Sequence, residues 1–375
     1  MRYGSRLVIQ LNLLEENHRA IKNYYKNQNI LMMVKADAYG HGLIPISRFA
    51  HLEMGVNDFG TASLGEALTL RGELAEQKCN IYVFSDIQLD LDLHREVYLN
   101  RRILPVLKHE EELELFLKVP EFKFFPLCLK FNTGMNRLGL KYDRLPEVIK
   151  LLKKYDRKEI YHLMTHFSSS SLSMTENKRN IDQREKFASI KSELKSSGID
   201  LVHNSIANSG AIEQGFGIEE TFIRPGILLY GPSSLLPKIR NQAKIETKVI
   251  SQLESYIIDV FPIDKGTPIG YGATPCPDDG QIAIMALGYG DGFSTTYQNV
   301  ELEIEGRLCK IVGRVNMDMC QVLVPKDLVI KRGQTIVVWD HERAKLERIC
   351  EQSNTIPYEV LCRISPRVPR IYQLK

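Results

Sequence analysis

A chain of 375 residues has room for two domains, or for one large domain with an appendage. Its 43% hydrophobic and 25% charged residues are ordinary for a globular protein in water. With 49 basic against 46 acidic residues, the net charge of +3 is too balanced to make nucleic acid or an anionic membrane the natural partner.

In chain order, residues 6–11 read as a strand that could fold back onto a later domain. Short β-rich runs then alternate with helical ones. Strands are predicted over 31–35, 59–63, 81–84, 103–107, 127–131, 161–166, 202–207 and 222–224. Between them, 64–75, 145–155 and 182–195 place apolar residues three and four apart, as amphipathic helices do. The charged block at 109–114 reads as the wet face of a helix that also carries Leu113, Phe116 and Leu117. Eight alternations over about 200 residues match an α/β fold of the (β/α)8 barrel type in number and size, with a doubly wound open sheet as the rival.

After Gly231 the character changes. Residues 235–244 read as a connector. Short alternating runs at 248–253, 282–287, 302–304, 308–312 and 335–338, broken by Gly and Pro, predict a mostly-β second domain with one helix at 345–352. The expected division is therefore residues 1–11 joining the C-terminal unit, a barrel over 12–234, and a β domain over 235–375. The seven cysteines, at 79, 128, 276, 309, 320, 350 and 362, are odd in number and lack Cys-x-x-Cys or Cys/His spacing. Reduced thiols in the cytoplasm are expected, with neither a disulfide framework nor a metal site. The first ten residues lack a signal-peptide pattern, and no apolar run is long enough to span a bilayer.

Five polar segments could carry chemistry. Lys35 closes an apolar run and is followed by a turn ending Tyr39-Gly40-His41-Gly42. In a barrel the C-terminal strand ends face the active site, where a partly desolvated lysine could lose its proton and attack an aldehyde. The plainer alternative is a loop lysine paired with Asp37. Lys130 to Gly139 follows the fifth predicted strand, and its Arg137 could grip a carboxylate with two parallel hydrogen bonds, unless it is a surface arginine in a turn. His166 ends the sixth strand, where a lone histidine is more often a packed residue than a catalyst. Ser209, Arg224, Gly226 and Ile227 follow the seventh and eighth strands, where barrels often bind phosphate on backbone N–H groups. In the β domain, Tyr289 sits on a Gly-rich turn, and Met317, Asp318 and Tyr358 occupy similar polar corners. Each signal alone is weak.

Together and in this order, these segments resemble the alanine racemase family over nearly the whole chain. The resemblance runs from Val34-Lys35-Ala36-Asp37-Ala38-Tyr39-Gly40-His41-Gly42 to the terminal Arg363-Ile364-Ser365-Pro366-Arg367-Val368-Pro369-Arg370. It implies an N-terminal eight-stranded barrel that binds pyridoxal 5'-phosphate (PLP), a C-terminal β domain, and a homodimer. It further implies interconversion of L- and D-alanine, with D-alanine passing to peptidoglycan. By the same resemblance Lys35 would hold PLP as a Schiff base and act as one proton carrier, with Tyr289 of a second copy as the other. Tyr39, Ser209, Tyr358 and the backbone at Gly226 and Ile227 would hold the phosphate. Arg224 would face the pyridine nitrogen, and His166 would link Arg224 to Tyr289. Arg137 would engage the cofactor's phenolic oxygen and the substrate carboxylate. Lys130 matches a lysine carbamylated in many members, and Met317 and Asp318 match a motif whose backbone approaches that carboxylate.

This set makes physical sense. Racemisation needs a proton removed from one face and delivered to the other, and Lys and Tyr can each be acid or base when the pKa is drawn toward neutrality. An arginine at the ring nitrogen keeps its own proton, which weakens the delocalised carbanion and disfavours transamination. Three departures stand out: Asn132 where an acidic residue is usual, the serines at 168–171 where the substrate entrance commonly carries one, and Thr274-Pro275-Cys276-Pro277. The entrance serines leave open a racemase of broader or different range, for serine or basic amino acids. A decarboxylase on a related barrel is disfavoured by Arg224, and a non-catalytic PLP-binding protein by Tyr289.

Overall fold

The computed structural model describes residues 4–74, 78–89 and 92–374. Eight strands build the N-terminal unit: Asn29–Met33, Asp58–Ser63, Asn80–Asp86, Ile103–Leu107, Cys128–Asn132, Glu159–Met164, Asp200–Ser205 and Phe222–Ile223. Each pairs in parallel with the next through the seventh, and the eighth pairs with the first. The remaining seam closes without a ladder. Thr221 Oγ1 accepts from Asn204 N at 2.8 Å, and Arg224 N donates to Ala207 O at 3.0 Å. The barrel, not the open sheet, is the fold. Its strands form for the reason their sequences suggest: every residue of Ile103–Leu107 is buried, as in a parallel strand covered on both faces.

Helices return each strand to the next. Leu64–Glu73 starts at Ser63, whose hydroxyl accepts from Glu66 N at 3.2 Å; the predicted end of this helix at residue 75 lies outside the described residues. Lys178–Ser196 begins four residues before its predicted start, because Asn177 caps it by accepting from Asn180 N. Four of the barrel strands also stop short of their predicted ends. They finish at Met33, Met164, Ser205 and Ile223, so Lys35, His166 and Arg224 sit in turns just beyond.

The C-terminal unit is mostly β. Its sheet runs, in spatial order, Glu301–Ile304, Arg307–Val312, Cys320–Val324, Gly280–Met285, Ser251–Ile263, Arg6–Gln10 and Arg370–Gln373, with Thr335–Trp339 also on Ser251–Ile263. Arg6–Gln10 is thus antiparallel to the long strand and parallel to the last one. The strands Cys320–Val324 and Arg370–Gln373, the short pair Pro268–Ile269 and Thr274–Pro275, and the helix Pro357–Arg363 were not foreseen. Pro357 reads as a loop signal but here occupies the first helical turn, where its missing N–H costs nothing. Among the described residues no helix is long and apolar enough to cross a membrane. None of their His, Cys, Asp and Glu side chains gather in threes that could hold a metal.

Candidate active site

Lys35 opens an unusual turn. Ala36, Asp37, Ala38 and Tyr39 all have φ between 52° and 55°, one turn of left-handed helix built without glycine. At about 1–2 kcal/mol per residue this conformation must be held from outside. Glu66 Oε1 accepts from Ala36 N at 2.7 Å, and Asp37 Oδ1 accepts from Leu43 N at 2.7 Å. The carboxylate of Asp37 thus serves the backbone. The C-terminal unit closes over the turn. A Cβ at Gly40 would stand 2.2 Å from Leu361 O, Arg370 donates to Gly40 O at 3.1 Å, and Tyr372 Oη donates to His41 O at 2.9 Å.

The turn aims Lys35 and Tyr39 into a cavity of about 290 Å³ at the C-terminal mouth of the barrel. Of the predicted residues, Lys130, Arg137, His166, Ser209, Arg224, Gly226 and Tyr358 line the same cavity. Ile227 lies directly behind Gly226, fully buried. At one end, Ser209 Oγ accepts from Gly226 N at 2.9 Å and Leu228 N at 3.3 Å. Ser209 and Ile227 each open a short helix, whose first-turn N–H groups have no intrahelical acceptor. A Cβ at Gly226 would lie 2.1 Å from Tyr39 Oη, so only glycine keeps the tyrosine hydroxyl against this turn. The Tyr358 ring lies 6.0 Å from that of Tyr39 between centroids, tilted by 52°, and its hydroxyl shares a 3.0 Å hydrogen bond with Ser234 Oγ. Hydroxyls and backbone amides converging in this way form a notch for a small anion.

The rest of the cavity is cationic; among the described residues no carboxylate lines it. Arg224 is buried, donating to Ser205 Oγ and Thr165 O. Burial pulls its guanidinium down to about 10, so it stays charged at neutral pH. It also stands 3.4 Å from His166 Nδ1. Burial, then Arg224, pushes His166 well below the usual imidazole range. Its Nε2 faces Asn208 Nδ2, also at 3.4 Å, so the neutral ring stands between two donors. Burial and then Arg137 lower the Lys35 amine. Burial, then Arg137, Arg224 and Lys35, bring Lys130 down to about 7. Two lysines whose amines are both pulled down, Lys130 to about 7, therefore share one cavity.

The turn carrying Arg137 is kept despite its departure from the family pattern. Asn132 Oδ1 accepts from Gly134 N at 3.1 Å and Asn136 N at 3.0 Å, and its Nδ2 donates to Asn136 Oδ1 at 3.1 Å. Only an amide can make all three contacts. Sequence reasoning missed the residue that ties this turn to the next. Gln183 donates to Thr133 Oγ1 at 3.2 Å and His166 O at 2.9 Å, and its Oε1 accepts from Ser168 N at 2.9 Å. The available signal was a polar residue on the buried stripe of a helix, four positions before Phe187.

Tyr289, Met317 and Asp318 lie elsewhere. Tyr289 and Met317 are 46% and 54% exposed and do not line the lysine cavity of their own chain. They sit together on the C-terminal unit, where Tyr289 N donates to Asn316 O at 2.9 Å and Gly290 N to Met317 O at 2.8 Å. Of the remaining departures, Ser170 O accepts from Gln214 Nε2 at 2.9 Å, and Thr274–Pro275 pairs with Pro268–Ile269.

Known proteins bear on this arrangement directly. Residues 9–234 match the family model "Alanine racemase, N-terminal domain", and residues 250–372 match "Alanine racemase, C-terminal domain". The chain is 30% identical over 379 residues to an alanine racemase of Methanococcus maripaludis, covering 97% of each. It superposes on the alanine racemase of Acinetobacter baumannii with a TM-score of 0.85 at 30% identity, over 100% of both chains. The alanine racemase of Bartonella henselae, solved with covalently bound pyridoxal phosphate, aligns with a TM-score of 0.86 at 25% identity, over 99% of this chain and 100% of that one. With both family domains matched in order and relatives aligned end to end, this chain belongs to the alanine racemase family of isomerases.

Proposed function

We propose that the chain interconverts L- and D-alanine in the cytoplasm with PLP as cofactor, yielding D-alanine for peptidoglycan. The observation that carries this reading is Lys35, its amine lowered by burial and Arg137, facing a cavity that ends in the Ser209–Gly226 notch. The notch suits the cofactor's phosphate: a Cβ at Gly226 would strike Tyr39 Oη there, Tyr39, Ser209, Tyr358 and the Ile227 amide would supply donors, and the Gly226 amide would exchange Ser209 Oγ for the phosphate. Bound PLP supplies an electron sink for the carbanion formed at the substrate α-carbon. Lys35 holds the cofactor covalently and moves a proton on one face. Tyr289 from a second copy moves it on the other. Arg224 keeps its own proton and offers the ring nitrogen only a donor, while His166 links it to Tyr289. Arg137 orients the substrate carboxylate, with the backbone near Met317 and Asp318 beside it. In this assembly residues 12–234 form the cofactor-binding unit and 235–375, with 1–11, the unit that completes the neighbour's site.

The direct test incubates purified protein and PLP with L-alanine and follows optical rotation and D-alanine formation. Rotation decaying to zero is expected. No D-alanine, or faster racemisation of serine or lysine in the same assay, would overturn the alanine assignment. That comparison matters because Ser168–Ser171 removes the usual charge from the entrance.

Gly226→Ala is expected to weaken PLP binding by about tenfold or more in an absorbance titration, since the new methyl collides with Tyr39 Oη. Unchanged affinity in a folded variant would separate the notch from the phosphate.

Lys130 is proposed to carry a carbamate that pairs with Arg137. A buried amine at about 7 is partly neutral at physiological pH, and only the neutral form adds CO₂. The neutral share grows above pH 7 and falls about tenfold for each unit below it, so carbamylation is lost on acidification. Labelled bicarbonate should give a carbamate carbonyl signal by ¹³C NMR that Lys130→Ala lacks. Short carboxylates should restore part of the activity that this variant loses. A missing signal in the wild type together with no rescue would leave Lys130 a bare amine.

A further inference from the structure

We propose that Arg367 is a positioning residue for Tyr289, clamping the turn that bears the tyrosine to the loop that bears Met317. The inference rests on the reading of Tyr289 as a proton carrier. It starts from Asp291, buried two residues after the tyrosine. Asp291 Oδ2 accepts from Gly288 N at 2.9 Å, closing the turn Tyr289–Asp291 from inside. Its other oxygen, Oδ1, accepts from Arg367 Nε at 2.6 Å. The same guanidinium reaches across to the second loop, where Nη2 donates to Asp318 Oδ1 at 2.8 Å. Ser365 N donates to Asp291 O at 3.0 Å, so the segment carrying Arg367 is itself anchored to the turn. Contacts leave no slack. A Cβ at Gly288 would lie 2.3 Å from Met317 O, one at Gly290 3.0 Å from Arg367 Nη1, and one at Gly292 2.1 Å from Arg363 O.

One guanidinium therefore bonds two carboxylates on two loops, a geometry a fork of fixed donors can satisfy and a point charge cannot. Tyr289 itself is half exposed and is held only through its backbone. Until its hydroxyl meets the neighbouring copy's site, its phenol is placed by the turn beneath it. A proton carrier displaced by an ångström loses much of its rate, whereas Lys35 and Arg137 themselves lie outside the clamp.

The test compares Arg367→Leu and Arg367→Lys with Tyr289→Phe in D₂O, using ¹H NMR to follow loss of the α-hydrogen and chiral analysis to follow inversion. With Lys35 intact and Tyr289 disabled, one enantiomer should exchange its α-hydrogen without inverting. Arg367→Leu should raise the exchange-to-inversion ratio for that same enantiomer by about tenfold, an effect on inversion that a change in KM through the Asp318 loop does not produce. Arg367→Lys should lie between, and it keeps the test alive if the leucine variant does not fold. Without cofactor, amide hydrogen exchange at residues 288–291 should quicken in both Arg367 variants. An unchanged ratio in Arg367 variants, where Tyr289→Phe does show enantiomer-specific exchange, would refute the clamp alone. If Tyr289→Phe shows no such asymmetry, the proton-carrier reading falls and takes the clamp with it.

Discussion

Lys35→Ala is expected to lower alanine racemisation by about a thousandfold or more, because the residue proposed both to hold the cofactor covalently and to carry one proton is removed. The informative companion experiment is borohydride reduction of the wild-type protein with PLP bound, followed by peptide mapping. The cavity contains a real competitor in Lys130, which is more buried than Lys35 and also drawn toward neutrality. Geometry separates the two. Lys35 heads the left-handed turn that ends at Tyr39, whose hydroxyl touches the Gly226 notch, so its reach from the notch is set by four strained residues. Lys130 lies on the fifth barrel strand, Cys128–Asn132, and its amine feels Arg137, Arg224 and Lys35 itself. Reduction should fix the cofactor on the peptide containing Lys35. A label on Lys130 would reverse the two assignments, and the carbamate proposal would fail with it.

The barrel was legible because parallel strands covered on both faces read as short apolar runs, and Ile103–Leu107 or Cys128–Asn132 can hardly be anything else. Strand ends were less so: past Met33 and Ser205 apolar residues continue, as Val34 and as Ile206-Ala207, beyond the last strand residue. The C-terminal unit hid more. Arg370–Gln373 is four residues long and exists because Arg6–Gln10 lies beside it in parallel, a partner more than 350 positions away. No local pattern announces such a strand. The cavity residues were readable as turn signals at strand ends, yet nothing local ranked Lys35 above Lys130; that ranking came from the resemblance. Gln183 escaped altogether, because a fully satisfied buried amide looks in sequence like an interruption of a helix face rather than the tie between two loops. The left-handed turn at 36–39 was equally invisible, since neither alanine nor tyrosine favours positive φ and only tertiary contacts hold it.

Mixing two inactive variants is expected to restore activity. Lys35 lines the barrel cavity, whereas Tyr289 stands exposed on the C-terminal unit and does not line the lysine cavity of its own chain. Tyr289, Met317 and Asp318 nevertheless form an ordered patch whose backbone is fixed by Asn316 and Met317 carbonyls, which is the preparation a residue needs if it is to enter a neighbour's site. Lys35→Ala and Tyr289→Phe should each be nearly inactive alone. In the proposed homodimer, random exchange of subunits would make about half of the dimers mixed, and in each of those one site would carry both defects and the other neither. The mixture should therefore recover roughly a quarter of wild-type activity if the sites act independently. Were each site built from a single chain, every site would keep one defect and mixing would restore nothing. Exchange itself is checked by giving one variant a mass tag and observing the hybrid by native mass spectrometry. Hybrid dimers without regained activity would place Tyr289 outside the neighbour's site, and the second proton carrier would then have to be sought among the residues that line the Lys35 cavity within one chain.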